Sequence, residues 1–436
     1  MADQDFPHAS LIEGVRFTAQ VAVPNVVQGL FRRRRSAVAV ASRTGADGLA
    51  YGFMASLKRS YGNGPLWIRV AKDQALLVLG DEAIRKVLER SPDPFASDPE
   101  PKKSGMAHFQ PDALTISRNP EWKDRRRFTE SVLDFGQALG DRFAAVAAQA
   151  GAALPPSFGW DEFNEAVRRV TRRVILGDGA AEDAEISELL GQLMDKSNPP
   201  GSGSAELLSR FSERLGAYVE AAEPGSLVAT FADAPVTELT KPAGQVAHWL
   251  FALGDTLAIN AMRCLALLAA HDEVRQRAIA ELGGADPATA AGLDAGVLLE
   301  ASLLEAMRLW PTTPMLSREL ISDIEWGAVK VPKGTQVLVV NSFNHRDREA
   351  LPYADRFAPE EWLPDGDARG RWAFNHFSHG PQVCPGVGLS LLVGKALLAA
   401  LLRDRVITAT GTAIVAGKPM PHGLDFFSLA FAADPA

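Results

Sequence analysis

The stretch 238–270, ELTKPAGQVAHWLFALGDTLAINAMRCLALLAA, constrains the fold more than any other part of the chain. Read at 3.6 residues per turn, it is a helix of about nine turns. It is apolar on most faces, so other elements must surround it. Polarity in its middle comes from Asp255 and Thr256, and a buried Asp is costly without a partner or a task. Candidate helices at 120–136, 138–152, 161–176, 182–195, 204–222, 271–282 and 296–309 supply the surroundings. After Pro311 the texture changes to short strands at 317–320, 324–331 and 335–340, a proline-bearing irregular stretch, a helix at 387–402 and terminal strands. Earlier in the chain, 65–70 and 75–79 read as a strand pair followed by a helix at 81–90. Residues 91–119 read as a long loop, 198–204 as a mobile loop, and 1–50 as a leader segment with one or two short helices. The fold class is mainly α (α+β), helices dominating small sheets, with 1–436 read as a single domain.

Composition narrows the setting. Apolar residues make up 47% of the chain and charged residues 22%, which predicts a sizeable core. The two cysteines, Cys264 and Cys384, cannot form a disulfide framework, and no charged segment followed by an apolar one opens the chain. These features point to a reducing, cytoplasmic location. No stretch reads as a transmembrane anchor: even 11–31 carries Glu13, Arg16, Gln20, Asn25 and Gln28. A net charge of −8 argues against nucleic acid as a partner. The run Arg32-Arg33-Arg34-Arg35 reads as a solvated face, with an acidic partner or a lipid surface as the alternative.

Cys384 sits in FSHGPQVCPG, directly before the apolar helix that starts at 387. A metal-ligating thiol must lose its proton, and free N–H groups at a helix start favour the anion. Pro385 suits a first turn, while Gly380 and Gly386 permit tight turns and close approach of a flat cofactor. Cys264, inside the long helix, reads as a small buried apolar residue.

Phe377, Gly380, Cys384 and Gly386 match F-x-x-G-x-x-x-C-x-G, and in this the chain resembles the haem-binding loop of the cytochrome P-450 family. EAMRLWPTTPMLSR (305–318) resembles that family's E-x-x-R helix through Glu305 and Arg308, followed by its Pro-rich turn and Arg318. WKDRRR (122–127) resembles the W-x-x-x-R helix through Trp122 and Arg126, and ALGDTL (252–257) the oxygen-activating groove. NHRDREALPYADRFAPEEW (344–362) resembles the segment that leads to the haem loop.

The resemblance implies a triangular helical body and a haem b (heme b, iron protoporphyrin IX) ligated by Cys384. It also implies propionate contacts from Trp122, Arg126 and Arg318, and a proton relay to dioxygen through Asp255 and Thr256. Gly254 is expected to open the groove beside them. Two positions depart from the family pattern. Glu361 stands where an Arg usually completes the Glu305–Arg308 network, and Arg356 or Arg371 is the expected substitute; Gln382 replaces the usual Arg or His, with His379 expected to compensate. His248 and His108 are candidates for the pocket, each with a hydrogen-bonded structural role as the stronger alternative. The implied activity is a haem-thiolate monooxygenase acting on a largely apolar small organic substrate, with O2 as co-substrate. Electrons are expected from a separate ferredoxin or flavodoxin with its reductase, docking near Arg125–Arg127. The alternatives are a peroxide-driven peroxygenase, disfavoured because HWLFALGDTLAIN (248–260) carries no Arg above the site, and a non-catalytic haem sensor. Pocket walls are expected at 100–118, 195–205, 248–256, 312–317 and 420–427, with Phe109, Trp249, Phe251, Met315, Met420 and Phe426 facing the ligand.

Overall fold

A computed structural model describes residues 5–199, 201–411 and 414–435. The long helix runs from Pro242 to Ala270. It starts four residues later than predicted because Lys241 takes a left-handed conformation and Pro242 occupies the first turn. By length and composition this helix could cross a membrane, which the sequence reading overlooked. In the fold, 72% of its most apolar window is buried inside the protein, so its apolarity serves the core.

The helices around it follow the predicted boundaries closely: Glu121–Gly136, Gly140–Ala152, Trp160–Ile175, Ala184–Ser197, Ala205–Ala221, Asp272–Leu282 and Val297–Leu309. Asp183 and Ser204 cap two of them through their side chains. The helix Val387–Arg403 lies along Gly140–Ala152 at close range. A Cβ at Gly151 would stand 2.2 Å from the Leu397 carbonyl oxygen, so only glycine permits this approach. Gly394 plays the same part against Leu303 and Leu257, bringing the helix behind Cys384 onto the central helix one residue after Thr256.

Ten strands complete the fold: β1 Leu66–Val70, β2 Asp73–Val78, β3 Phe95–Ala96, β4 Ser157–Gly159, β5 Leu316–Leu320, β6 Ile324–Trp326, β7 Val329–Val331, β8 Gln336–Val339, β9 Arg405–Thr410 and β10 Ala430–Pro435. The largest sheet has the order β1-β2-β8-β5-β3, with β2 and β8 parallel. The predicted strand 324–331 is instead the hairpin β6–β7, turning at Gly327.

Three predicted segments differ more. The leader folds into helices at Leu11–Phe17, Val23–Val27, Arg35–Thr44 and Ala46–Tyr61, and Phe17, Val21 and the apolar face of Ala46–Tyr61 join β1, β2 and Phe343 in a second core. The long loop 91–119 contains β3, a helix Glu100–Ala107 and a 3-10 turn Leu114–Ile116. Asn198, in the segment expected to be mobile, is buried; its side chain accepts from the Phe31 N–H and donates to the Arg32 carbonyl.

The arginine run is exposed at Arg35 and half-buried at Arg32, Arg33 and Arg34, and all four side chains have partners. Arg32 pairs with Asp195 at 2.5 Å, Arg33 donates to the Thr312 carbonyl, Arg34 to the Pro199 carbonyl, and Arg35 pairs with Asp161 while lying over Phe427. Each guanidinium fastens residues 32–35 to a different element.

Candidate functional site

Cys384 lies just ahead of the helix Val387–Arg403, whose N-cap is Gly386. Its N–H donates to the Phe377 carbonyl at 2.7 Å, which closes the loop. Gly380 has φ +65°, and a Cβ there would stand 2.6 Å from the Leu88 carbonyl oxygen; glycine therefore seats the loop on the end of the helix Asp81–Glu89. A Cβ at Gly386 would lie 3.9 Å from the Cys384 sulfur, an ordinary contact distance, so Gly386 borders the sulfur without steric need for glycine. Burial pushes the Cys384 thiol up, while the Gly386 N–H and Arg126 pull it down. The helix start favours the thiolate, and desolvation works against it. A metal cation bonded to the sulfur supplies what is missing.

Beside the loop stands a group of cations short of anions. Arg318 is 4% exposed and donates only to the Ser91 hydroxyl and the Ser317 carbonyl; burial brings it down to about 10. Lys102, which the sequence reading missed, donates to Ser97 and Thr115, and burial with Arg318 nearby brings it down to about 7. Neither forms an ion pair among the described residues. The Trp122 indole N–H has no protein acceptor among them either. Gln382 donates to the Ser97 hydroxyl, and its own buried side-chain oxygen is unpartnered. Arg126 bonds Glu130 and the Val383 carbonyl, tying the helix Glu121–Gly136 to the cysteine loop. His379 does not compensate for Gln382: its ring meets the Phe374 carbonyl and packs on Trp372. The buried Arg318 and the half-buried Lys102, neither in an ion pair, favour anions beside them. The two propionates of haem b would meet that need, and Cys384 would supply the ligand to its iron. The residues present fit the group.

On the far side, the central helix widens. Residues Ala252–Thr256 form a π-turn, closed by the Leu257 N–H on the Ala252 carbonyl. Such a turn holds one extra residue and often marks a functional position. The π-turn opens the groove, not Gly254, which faces Arg168 and Thr171 of the helix Trp160–Ile175. Asp255 accepts two bonds from Arg168, at 2.6 and 3.1 Å, both on Oδ1. Its Oδ2 and the Thr256 hydroxyl have no protein partner among the described residues. A cavity of ≈ 10 Å³ lined by Arg168, Thr171, Ser187 and Asp255 has room for about one water. His248 is a buried hydrogen-bonded histidine, 3.1 Å from the Gln110 side-chain oxygen and brought down to about 4 by burial.

The Glu305–Arg308 pair is fully buried. Arg308 also donates to the carbonyls of His345, Ala354, Tyr353 and Arg356. Glu305 accepts from the Ala358 N–H and the Trp362 indole. Trp362, the residue after Glu361, thus closes the network through a neutral donor. Arg356 contributes only its carbonyl, and Arg371 pairs with Asp367. Glu361 accepts from the Asp367 N–H at 3.4 Å.

The residues expected at the pocket and the docking face have varied surroundings. Trp249 packs on Phe128 and Phe231, Met315 joins the second core, and the Met420 backbone is held by Asp355 and Arg346. Phe109 and Phe251 do meet, with centroids 6.3 Å apart. Of Arg125–Arg127 only Arg127 is exposed, since Arg125 is buried on Ser117, Asp112 and the Leu239 carbonyl.

A loop cysteine at a helix start, a widened central helix and a buried Glu–Arg pair on one helical body define the cytochrome P450 fold. Two solved structures share it: a zebra fish cytochrome P450 with abiraterone (TM-score 0.72, 20% identity, 88% of this chain and 99% of that one), and a retinoic acid bound cyanobacterial CYP120A1 (TM-score 0.70, 19% identity, 88% and 94%). The family model described as Cytochrome P450 matches residues 239–407. Cytochrome P450 4c3 of Drosophila melanogaster is 33% identical over 172 residues, 38% of this chain and 32% of that protein. Cytochrome P450 4V2 of Homo sapiens is 32% identical over 166 residues, 36% and 31% respectively. The chain has the fold of these solved structures, residues 239–407 match the Cytochrome P450 family model, and the match spans about a third of the length of these curated relatives.

Proposed function

We propose that the protein is a haem-thiolate monooxygenase: RH + O2 + two electrons + two protons gives ROH + water. The observation that carries this reading is the widened turn, where a free Thr256 hydroxyl adjoins an Asp255 carboxylate that Arg168 holds by one oxygen. When bound at Cys384, haem supplies the redox-active iron, and a thiolate ligand favours O–O cleavage. Trp122, Arg126, Arg318 and Lys102 orient its carboxylates. Asp255 collects protons through Oδ2 from the small cavity beside it, and Thr256 passes them into the groove. Arg168 keeps the carboxylate from turning away. The apolar wall of Phe109 and Phe251 supports a largely apolar substrate. Electrons come from separate proteins, a ferredoxin or flavodoxin with its reductase, docking over the exposed Val383 and Arg127 next to the cysteine loop. Two unpaired thiols support a reducing, cytoplasmic compartment.

The test is product formed per electron donor consumed, with peroxide assayed alongside. Thr256→Ala is expected to divert electrons into hydrogen peroxide while leaving the carbon monoxide spectrum intact. Unchanged coupling would remove the relay and favour the peroxide-driven alternative.

A further inference from the structure

Beside the second core, an open cleft of ≈ 390 Å³ separates the helix Ala46–Tyr61 from the segment 343–349. Sites for small organic molecules start at about 300 Å³. The helix turns one face to the cleft, running from Gly48 through Gly52 and Ala55 to Arg59. The opposite wall is made by residues 347–349 and His422. Neither the cysteine loop nor the π-turn borders this space.

Its charged groups are unequally used. Lys58, 7% exposed, pairs with Asp347 and stands 3.7 Å from Glu349. The second oxygen of Asp347 accepts from the Glu349 N–H, so that carboxylate is fully engaged. Arg348 gives only its Nε–H to Asp355, and its guanidinium lies 5.1 Å over the Tyr51 ring. The terminal N–H groups of Arg348 have no acceptor among the described residues. Arg59 is exposed and forms no ion pair among them. What the cleft has to spare is therefore cationic.

The wall between these cations is aromatic and preformed. The His422 ring stacks on Tyr51 with centroids 4.3 Å apart and planes 23° from parallel, and Phe343 packs on Tyr51 at 5.5 Å. Burial brings His422 down to about 4, so at neutral pH it presents an uncharged ring. The neighbouring Pro421 carbonyl accepts from the Trp310 indole and from Arg346, which fixes His422 to the core.

Gly52 is a separate observation. It lies within a 16-residue helix, where glycine costs stability relative to alanine. A Cβ there would meet nothing within 4 Å, so packing does not require glycine. A side chain at this position would enter the cleft, and its absence keeps the floor bare.

We propose that this cleft binds a small organic anion that carries a flat ring. Arg59 and Arg348 hold its charged group, and the Tyr51–His422 stack and the bare helix face receive its ring. Guanidinium groups suit a phosphate or carboxylate because they offer parallel N–H donors, and parallel aromatic rings favour a flat partner. The site stands apart from the cysteine loop and does not rest on the monooxygenase reading.

The test is calorimetric titration of the haem-loaded protein with phenyl phosphate, and with inorganic phosphate and phenol as its two halves. Wild type is expected to bind phenyl phosphate with a Kd of about 1 mM or below, roughly tenfold or more tighter than either half. The Soret band should not move. Arg59→Gln should weaken binding roughly tenfold, the size of one charge-assisted bond. Gly52→Leu should abolish binding by filling the cleft. It is also expected to hold or raise the thermal midpoint, because leucine is the better helix former, so lost binding would not reflect lost folding. No binding by wild type, or an affinity unchanged in both variants, overturns the proposal. So does a Soret shift that persists in Gly52→Leu, which would put the probe over the iron. Inorganic phosphate bound as tightly as phenyl phosphate overturns the ring-bearing ligand.

Discussion

Arg308 and Arg318 are both buried arginines, yet their surroundings are opposite. Arg308 faces a carboxylate and four carbonyls, and its partner Glu305 takes two further donors. Arg318 has only the Ser91 hydroxyl and the Ser317 carbonyl. A saturated buried charge fixes structure, because removing one partner strands the other. An unsaturated one marks a place that something else completes, and Arg318 with Lys102 belongs to this second kind.

The comparison breaks most visibly at the saturated end. Arg308→Leu strands Glu305 without its cation and is expected to cost about 3–5 kcal/mol, read as loss of the cooperative thermal transition and of haem retention. A folded, haem-retaining variant would mean that the network is dispensable.

Next in size is the relay. Asp255→Asn should slow product formation by about 10²-fold or more, as removal of a positioned proton-transfer group does, with the carbon monoxide spectrum unchanged. Arg168→Gln should slow it less, because Asp255 stays in place but is free to turn.

Lys102 sharpens the unsaturated end. Burial and Arg318 bring it down to about 7, and a propionate beside it raises it again. Above pH 7, haem uptake therefore draws a proton onto Lys102, so haem affinity is highest below pH 7 and falls as pH climbs toward the ordinary lysine range. Lys102→Met should weaken haem binding roughly tenfold at pH 7, the size of one charge-assisted bond, and flatten the pH slope in haem-transfer titrations. An unchanged slope would assign the neutral–charged transition to another group.

The smallest effect belongs to Glu361→Arg. Since Trp362 already closes the network, the change should shift stability by no more than about 0.5 kcal/mol, like other substitutions away from buried partners. A large change in haem retention on heating would show that Glu361 carries more than its bond to Asp367.

These sites also mark where the sequence was legible. Helix boundaries from 121 onward followed from apolar period and caps such as Asp183 and Ser204, which are local. The motif residues Cys384, Glu305 and Arg308 stood out by spacing, and the fold places the first in a loop at a helix start and the other two in a buried pair. What stayed hidden depends on contacts between distant segments. Arg168 meets Asp255 across 87 positions, and Trp362 meets Glu305 across 57. The arginine run could be read only in small part from its neighbours, since apart from the Val26 and Val27 carbonyls its partners Asp161, Asp195, Pro199 and Thr312 are distant in sequence. The helix Glu100–Ala107 was taken for loop because it holds Pro101 and Gly105 with little apolar period, and Phe31 packs where a Gly105 side chain would stand.

The π-turn at Ala252–Thr256 leaves the fold with a latent alternative. Deleting any one residue there would restore an unbroken α-helix with regular hydrogen bonds. Such a variant is expected to be the stiffer protein and a poorer catalyst, since its groove would be closed and Asp255 turned away from Arg168. One residue of extra length thus separates a better rod from a working enzyme, a trade between stability and activity. Selection for thermostability alone would press on this turn.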